Sequence, residues 1–259
     1  MITKSIFGFN YIINKKGKIK AMNLDILVFA AHPDDAELSM GGTIARFTAQ
    51  GLKVGVVDLT KAELSTRGNV ITRAKETEAA TKILKLKVRE NLGIKDGGVL
   101  SSPDNLKRVI TLIRKYKPSI VFAPYFNDRH PDHIDSSKLV KRAVFSSGLE
   151  KFKTTLSGKS QTAYRPKKIF YYMQTYLFEP SFIVDISDYF ETKMKSCKAF
   201  KSQFHNPSLK RDDTFISKPE FLDYVEARAK FYGFQIRKKY GEPFYCEENI
   251  EYDFSDLLN

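Results

Sequence analysis

Six residues in two short stretches have the types and spacing to carry out hydrolytic chemistry. His32, Asp34 and Asp35 lie in Ala31-His32-Pro33-Asp34-Asp35-Ala36-Glu37, and His130, Asp132 and His133 lie in Asp128-Arg129-His130-Pro131-Asp132-His133. The chain has four histidines, so these stretches hold all but His205, which falls in a polar loop. Two histidines and one carboxylate are a common catalytic zinc set that leaves a fourth position for water. His32, Asp35 and His133 are the expected ligands. Zinc lowers the pKa of its water toward about 7. Asp34 is then the expected proton acceptor. His130 is placed to stabilise an oxyanion or to protonate a leaving amine, with Asp132 orienting it through its other ring nitrogen. Taken singly, each stretch has a plainer reading, because a His-Pro-Asp-Asp run is often a strand-end turn whose Asp caps a helix.

What joins the two stretches is their place in the chain. Residues 24–30 are an apolar run that reads as a buried strand, and the first stretch follows directly. Residues 119–124 form a second such run, and the second stretch follows it and opens a helix. Between them lie a helix pattern at 41–50, a Val-rich strand at 53–59, and helices at 69–84 and 105–115. A short strand is read at 88–92 and a helix at 132–147. Such alternation predicts an α/β fold, a mainly parallel sheet with helices on both faces in three layers. In such sheets ligands bind in the crevice past the carboxyl ends of the strands, where both stretches sit. Beyond Gly148 the pattern loosens. Strands are read at 168–173 and 182–186, helices at 188–202 and 219–231, and loops at 149–165 and 205–218. The tail past Gly233 reads as mixed.

Composition bounds the rest. The 259 residues are 42% apolar, with 20 Phe and 13 Tyr, enough for a packed core. No apolar run approaches the roughly 20 residues of a spanning helix, so no membrane partner is expected. The formal charge of +13 fits either a lysine-rich solvated surface or an anionic substrate. The basic residues are scattered and carry no nucleic-acid motif, so no nucleic acid is expected. Residues 1–21 carry five lysines and no acid, and their apolar residues precede most of the lysines, the wrong order for a secretory signal. They are read as a basic, peripheral or disordered extension, with residues 22–259 as a single domain. Cys197 and Cys246 are in no metal spacing and read as reduced thiols of a cytoplasmic protein.

The two stretches together resemble the signature motifs of the PIG-L/LmbE-like zinc N-deacetylases, a resemblance that spans roughly residues 22–235. It implies a Rossmann-like fold, removal of acetate from N-acetylglucosamine conjugates, and the same ligand, base and histidine roles. Asp58-Leu59-Thr60-Lys61-Ala62-Glu63-Leu64-Ser65-Thr66-Arg67-Gly68, Arg73, Phe122-Ala123-Pro124-Tyr125 and Ser202-Gln203-Phe204 are similar to the branch acting on N-acetylglucosaminyl malate in bacillithiol biosynthesis. The likeness implies an anionic amino-sugar substrate met by Arg73, with Arg67 and Lys61 as weaker candidates. It also implies a homo-oligomer, such as a hexamer. A guanidinium suits a malate carboxylate because it pairs bidentately. Two departures stand out. Many relatives carry Gly where Ala62 stands, and where a late substrate-facing tyrosine is expected the chain offers Phe221, with Tyr224 nearby. Glu37 reads either as support for a ligand or for Arg73, or as a first-turn carboxylate favoured by the helix dipole.

Two further readings stay open. Zinc is the expected metal, and the same donors also suit Fe(II), Mn or Co. Other N-acetylglucosamine conjugates, chitooligosaccharides or an S-conjugate amide are alternative substrates. In a different class stands a Rossmann-like nucleotide or nucleic-acid binding module. It would need a Gly-rich phosphate loop, and Gly41-Gly42 is not one.

Overall fold

The structure, a computed structural model, describes residues 2–6, 9–13, 22–205 and 214–251. Seven strands make the main sheet: β3 (Ile26–Ala30), β4 (Val54–Thr60), β5 (Val88–Ile94), β6 (Ile120–Pro124), β9 (Lys168–Tyr172), β10 (Phe182–Asp185) and β11 (Gly241–Tyr245). Their order is β10-β11-β9-β6-β3-β4-β5. The five strands from β9 to β5 run parallel, and β11 and β10 close one edge antiparallel. Every residue of β3 and β4 is buried, as expected of β-branched and aliphatic runs covered on both faces. The β3–β6 pairing aligns Ile26 with Ile120 and Val28 with Phe122. It sets the ends of these two strands, and the histidine stretches that follow them, side by side.

Helices α3 (Pro103–Tyr116) and α4 (Pro131–Ser147) cover one face around Leu27, Phe29, Val121 and Ile110. Helix α1 (Asp35–Ala49) covers the other around Val28, Met40, Ile44 and Phe244. Behind α1 lies α5 (Phe190–Lys198), which also packs against α2 (Val70–Ile83). Helix α6 (Phe221–Gln235) packs on β11 and β10. The expected three-layer α/β fold is therefore present.

Helix starts follow local chemistry. Asn69 and Ser102 accept backbone N–H bonds from Thr72 and Asn105 at the starts of α2 and α3. Pro103 and Pro131 occupy first-turn positions, where a missing N–H costs nothing. Helix α1 begins at Asp35 rather than at Gly41 and kinks at Met40 (φ −138°, ψ 23°). The kink falls where the sequence suggested the start. There the buried carboxylate of Glu242 accepts from the N–H groups of Gly42 (3.1 Å) and Thr43 (2.6 Å), and it pairs with Lys193 at 2.5 Å. The helix has a second N-terminus, capped from β11.

Several sequence expectations need correction. The tail past Gly233 contains β11, which inserts between β9 and β10 and was not anticipated. The helix expected at 188–202 is a short 3-10 turn followed by α5, which ends at Lys198. The 149–165 loop includes a two-residue hairpin, β7 (Thr155–Leu156) with β8 (Lys159–Ser160). In the N-terminal extension, β1 (Ile2–Ile6) pairs antiparallel with β2 (Phe9–Ile13), and the rest of residues 1–21 lies outside the described residues. So do residues 206–213 of the expected 205–218 loop, in which Phe215–Ser217 is a 3-10 turn.

Candidate metal centre

The ends of β3 and β6 deliver their two stretches to one cavity of about 400 Å³, lined by His32, Asp34, Asp35, His130 and His133 among others. Asp35 opens α1 and is nearly buried. One of its oxygens is 3.6 Å from Nδ1 of His32, and the other is 3.3 Å from Nε2 of His133. A tetrahedral ion with bonds of about 2.0 Å keeps its ligand atoms about 3.3 Å apart, so these separations fit one shared divalent cation. Gln174 adds a further mark of an incomplete donor set. Its amide nitrogen is 3.3 Å from Nε2 of His133, and its buried Oε1 has no hydrogen-bond partner among the described residues. Nitrogens of His32, His130 and His133 also lie within 4.8 Å of one another. Ligand atoms of His32, Asp96 and Asp132 lie within the same distance of one another, while Asp35 faces both His32 and His133 and would bring negative charge to a cation.

The outer ring nitrogens are held by carboxylates, of which the sequence reading singled out Asp132, for another role, but neither Asp96 nor Asp128. Nε2 of His32 is 3.1 Å from Asp96 and 3.4 Å from Asp132. Nδ1 of His133 is 2.8 Å from Asp128. Such partners fix tautomer and ring orientation and make the facing nitrogen a better donor. Burial opposes a charged His133 ring, but Asp35 and Asp128 outweigh it and bring its pKa up to about 9. Burial likewise opposes a charged His32, and Asp132, Asp35 and Asp96 together hold it well above its ordinary value. Asp96 sits below the usual carboxylate range because His32 hydrogen-bonds it. Neither Asp96 nor Asp128 could be picked from spacing. Asp96 arrives on the loop after β5, and Asp128 reads as ordinary turn chemistry.

Asp34 precedes α1 with φ at 120°, a strained backbone for a residue with a side chain. Its carboxylate is buried and pairs with Arg73 at 2.9 Å. Burial pushes its pKa up to about 7, against the pull of Arg73 and with help from neighbouring Asp35. That suits a group that must accept and return a proton near neutrality. His130 is the N-cap of α4, its Nδ1 accepting the backbone N–H of Asp132 at 3.2 Å. The ring proton therefore sits on Nε2. Burial, with His32 and His133 nearby, holds the ring below its ordinary pKa and so neutral. This corrects the role given to Asp132. It orients His130 with its backbone, while its carboxylate accepts from Gly97 N–H (2.8 Å) and faces His32.

The expected substrate contacts divide. Arg73 and Tyr224 line the cavity. Arg73 also donates to the Pro33 carbonyl at 2.5 Å and to Ser65 at 3.2 Å, so most of its fork is engaged with the protein. Arg67 is not among the lining residues. It is buried and donates to the Phe204 carbonyl at 3.1 Å, so a direct substrate contact is not in reach. Lys61 lies in a different cavity. Glu37 supports neither a ligand nor Arg73. It is fully buried and pairs with Arg89, which also holds Asp58 at 2.9 Å. Arg129 and Arg228, which the sequence reading passed over, line the cavity as well, with Arg129 stacked over the Phe215 ring at 4.9 Å. Ala62 lines it with φ at 53°, the left-handed region that favours glycine.

Comparison with known proteins gives the family. The family profile described as GlcNAc-PI de-N-acetylase matches residues 27–144, which hold both histidine stretches. A diacetylchitobiose deacetylase of Thermococcus kodakarensis is 28% identical over 229 residues, covering 84% of this chain and 80% of its own. A Bacillus anthracis protein named a probable N-acetyl-α-D-glucosaminyl L-malate deacetylase 2 is 30% identical over 132 residues, 46% of this chain and 58% of that one. Among solved structures, the conserved protein TT1542 from Thermus thermophilus superposes with a TM-score of 0.80 at 35% identity, covering 89% of this chain and 97% of its own. With the family profile spanning both histidine stretches and the fold shared at 35% identity over 97% of a solved relative, the chain belongs to the PIG-L family of deacetylases.

Proposed function

We propose that this protein is a metal-dependent hydrolase that removes the acetyl group from an N-acetylglucosamine conjugate, with His32, Asp35 and His133 holding zinc. The observation that carries the reading is the convergence of those three donors beside the buried carboxylate of Asp34, which Arg73 holds at 2.9 Å. A divalent cation bound there would supply Lewis acidity and bring the attacking water toward ionisation at neutral pH. Asp34, held by Arg73, accepts the proton of that water as it attacks the acetyl carbon. His130, neutral and carrying its proton on Nε2, donates to the carbonyl oxygen as charge develops there. When the C–N bond breaks, the proton on Asp34 passes to the leaving nitrogen, giving acetate and a free amine. Asp132, Asp96 and Asp128 act as positioning residues.

For substrate we favour N-acetylglucosaminyl malate. Its two carboxylates suit a cavity lined by Arg73, Arg129 and Arg228, and the Bacillus relative carries that name. A second reading, a diacetylchitobiose-type substrate, is favoured by the Thermococcus relative and by the Phe215, Phe221 and Tyr224 wall, which suits the faces of sugar rings. We further infer a cytoplasmic enzyme, consistent with the free buried thiols Cys197 and Cys246, built as one domain over residues 22–259 and assembling as a homo-oligomer. The test is acetate release from N-acetylglucosaminyl malate, diacetylchitobiose and free N-acetylglucosamine. The favoured reading expects the malate conjugate to be turned over at least tenfold more efficiently, and Arg129→Ala to remove that preference. Preference for diacetylchitobiose would select the second reading, and no acetate from any of them would overturn both.

A further inference from the structure

Helix α2 packs against α5 and leaves a second cavity, of about 570 Å³, between itself and strands β4 and β5. Nothing in the proposed chemistry uses it. It is separated from the metal centre by very little. Arg73 lines both cavities, and Pro33, whose carbonyl Arg73 holds at 2.5 Å, lines the second. The same guanidinium nitrogen holds Asp34 at 2.9 Å on the other side. The wall is thus one side chain and one peptide thick. Beyond it the cavity carries Lys61 and Lys87, both exposed. Its other charges are already paired, Arg89 with Glu37 and Asp58, Glu90 with Lys115, and Glu78 with Lys82.

We propose that the second cavity binds and discharges the short carboxylate product, with Arg73 as the partition it passes. The inference rests on the deacetylation reading above. Under that reading hydrolysis frees acetate beside the buried Asp34, with the amino sugar still bound in the first cavity. Arg73, which lines both cavities, is the cation nearest such an anion on that side, and Lys61 and Lys87 of the second cavity lie beyond it. A separate route lets acetate depart before the sugar does.

The test plugs the second cavity in the folded protein. Ala74 is exposed on α2 and lines that cavity, whereas the native thiols Cys197 and Cys246 are both buried. Ala74→Cys in the zinc-loaded protein is labelled with benzyl methanethiosulfonate, and a phosphine reductant removes the label. Titration with [13C]acetate should show two bound acetates per chain before labelling and one after. Steady-state acetate release should fall at least tenfold with the first turnover unchanged, and the reductant should restore it. In unlabelled protein, Lys61→Glu with Lys87→Glu should weaken the second acetate at least threefold. An acetate stoichiometry and turnover that labelling leaves within twofold would overturn the exit route. If no N-acetyl substrate releases acetate, the deacetylase reading fails and the exit route with it. The titration still tells whether the cavity holds a carboxylate.

Discussion

Replacing Asp128 by Asn tests whether the carboxylates behind the histidines set the affinity of the metal centre. One oxygen of Asp128 accepts from Nδ1 of His133 (2.8 Å) and from His130 N–H (3.1 Å), and the other accepts from the N–H groups of Thr175 (2.8 Å) and Tyr176 (3.3 Å). All four partners are donors. Asn keeps the shape, but whichever way its amide turns, its NH₂ must face two of them. Losing such a partner to a ligating histidine typically costs 10- to 100-fold in metal affinity, about 1.4–2.7 kcal/mol. An unsatisfied buried donor adds about 1–3 kcal/mol to the stability loss. Burial raises the pKa of Asp128, but His133 and the backbone donors outweigh it and hold the carboxyl down to about 2. A depressed carboxyl contributes stability above its unfolded pKa, about 3.9, and loses it as pH falls through about 2. The stability gap between wild type and Asp128→Asn should therefore be full at pH 6 and close across that acid window. The assay is zinc competition against a chromophoric chelator, paired with thermal unfolding at pH 6 and pH 3. A folded variant whose zinc affinity stays within twofold of wild type would refute the reasoning.

Three further outcomes follow from particular contacts. Asp34→Asn should keep its zinc, read by metal analysis, while acetate release falls about 10²–10⁴-fold. Asp34 works only when ionised, so the wild-type rate should rise with pH toward about 7, and the residual rate of the variant should lack that limb. Glu242→Ala strands the buried ammonium of Lys193 and uncaps the second start of α1. It should cost about 3–5 kcal/mol in denaturant unfolding, and a Lys193→Met, Glu242→Ala double variant should cost clearly less. Ala62→Gly relieves a left-handed alanine and should leave thermal stability equal or raise it, by up to about 1 kcal/mol. A clear loss would mean that the methyl group itself is packed.

The parallel core was legible in the sequence because β3 and β6 are unbroken apolar runs and β4 is rich in Val, the pattern of a sheet covered on both faces. The six chemical residues were legible because they follow two of those runs. The hidden parts are hidden for physical reasons. In β11, Gly241-Glu242-Pro243 breaks any apolar run, which left the tail reading as mixed, yet Glu242 is buried because it caps a kinked helix about two hundred residues earlier in the chain. Asp96 and Asp128 gain their meaning only from the histidines that folding brings to them. Asp132 was assigned a side-chain bond to His130 that its backbone makes instead, a distinction no residue type carries. Arg67, a weaker candidate that the family likeness implied, is buried, donates to the Phe204 carbonyl and does not line the cavity.

The central claim is that His32, Asp35 and His133 form one metal site on which acetate release depends. It is tested most directly by stripping the protein with a chelator and adding zinc back in steps while acetate release is recorded. The account predicts no release from the stripped protein, recovery that saturates at one zinc per chain, and no recovery in His133→Ala. Undiminished release from fully stripped protein, or full recovery in His133→Ala, would contradict it.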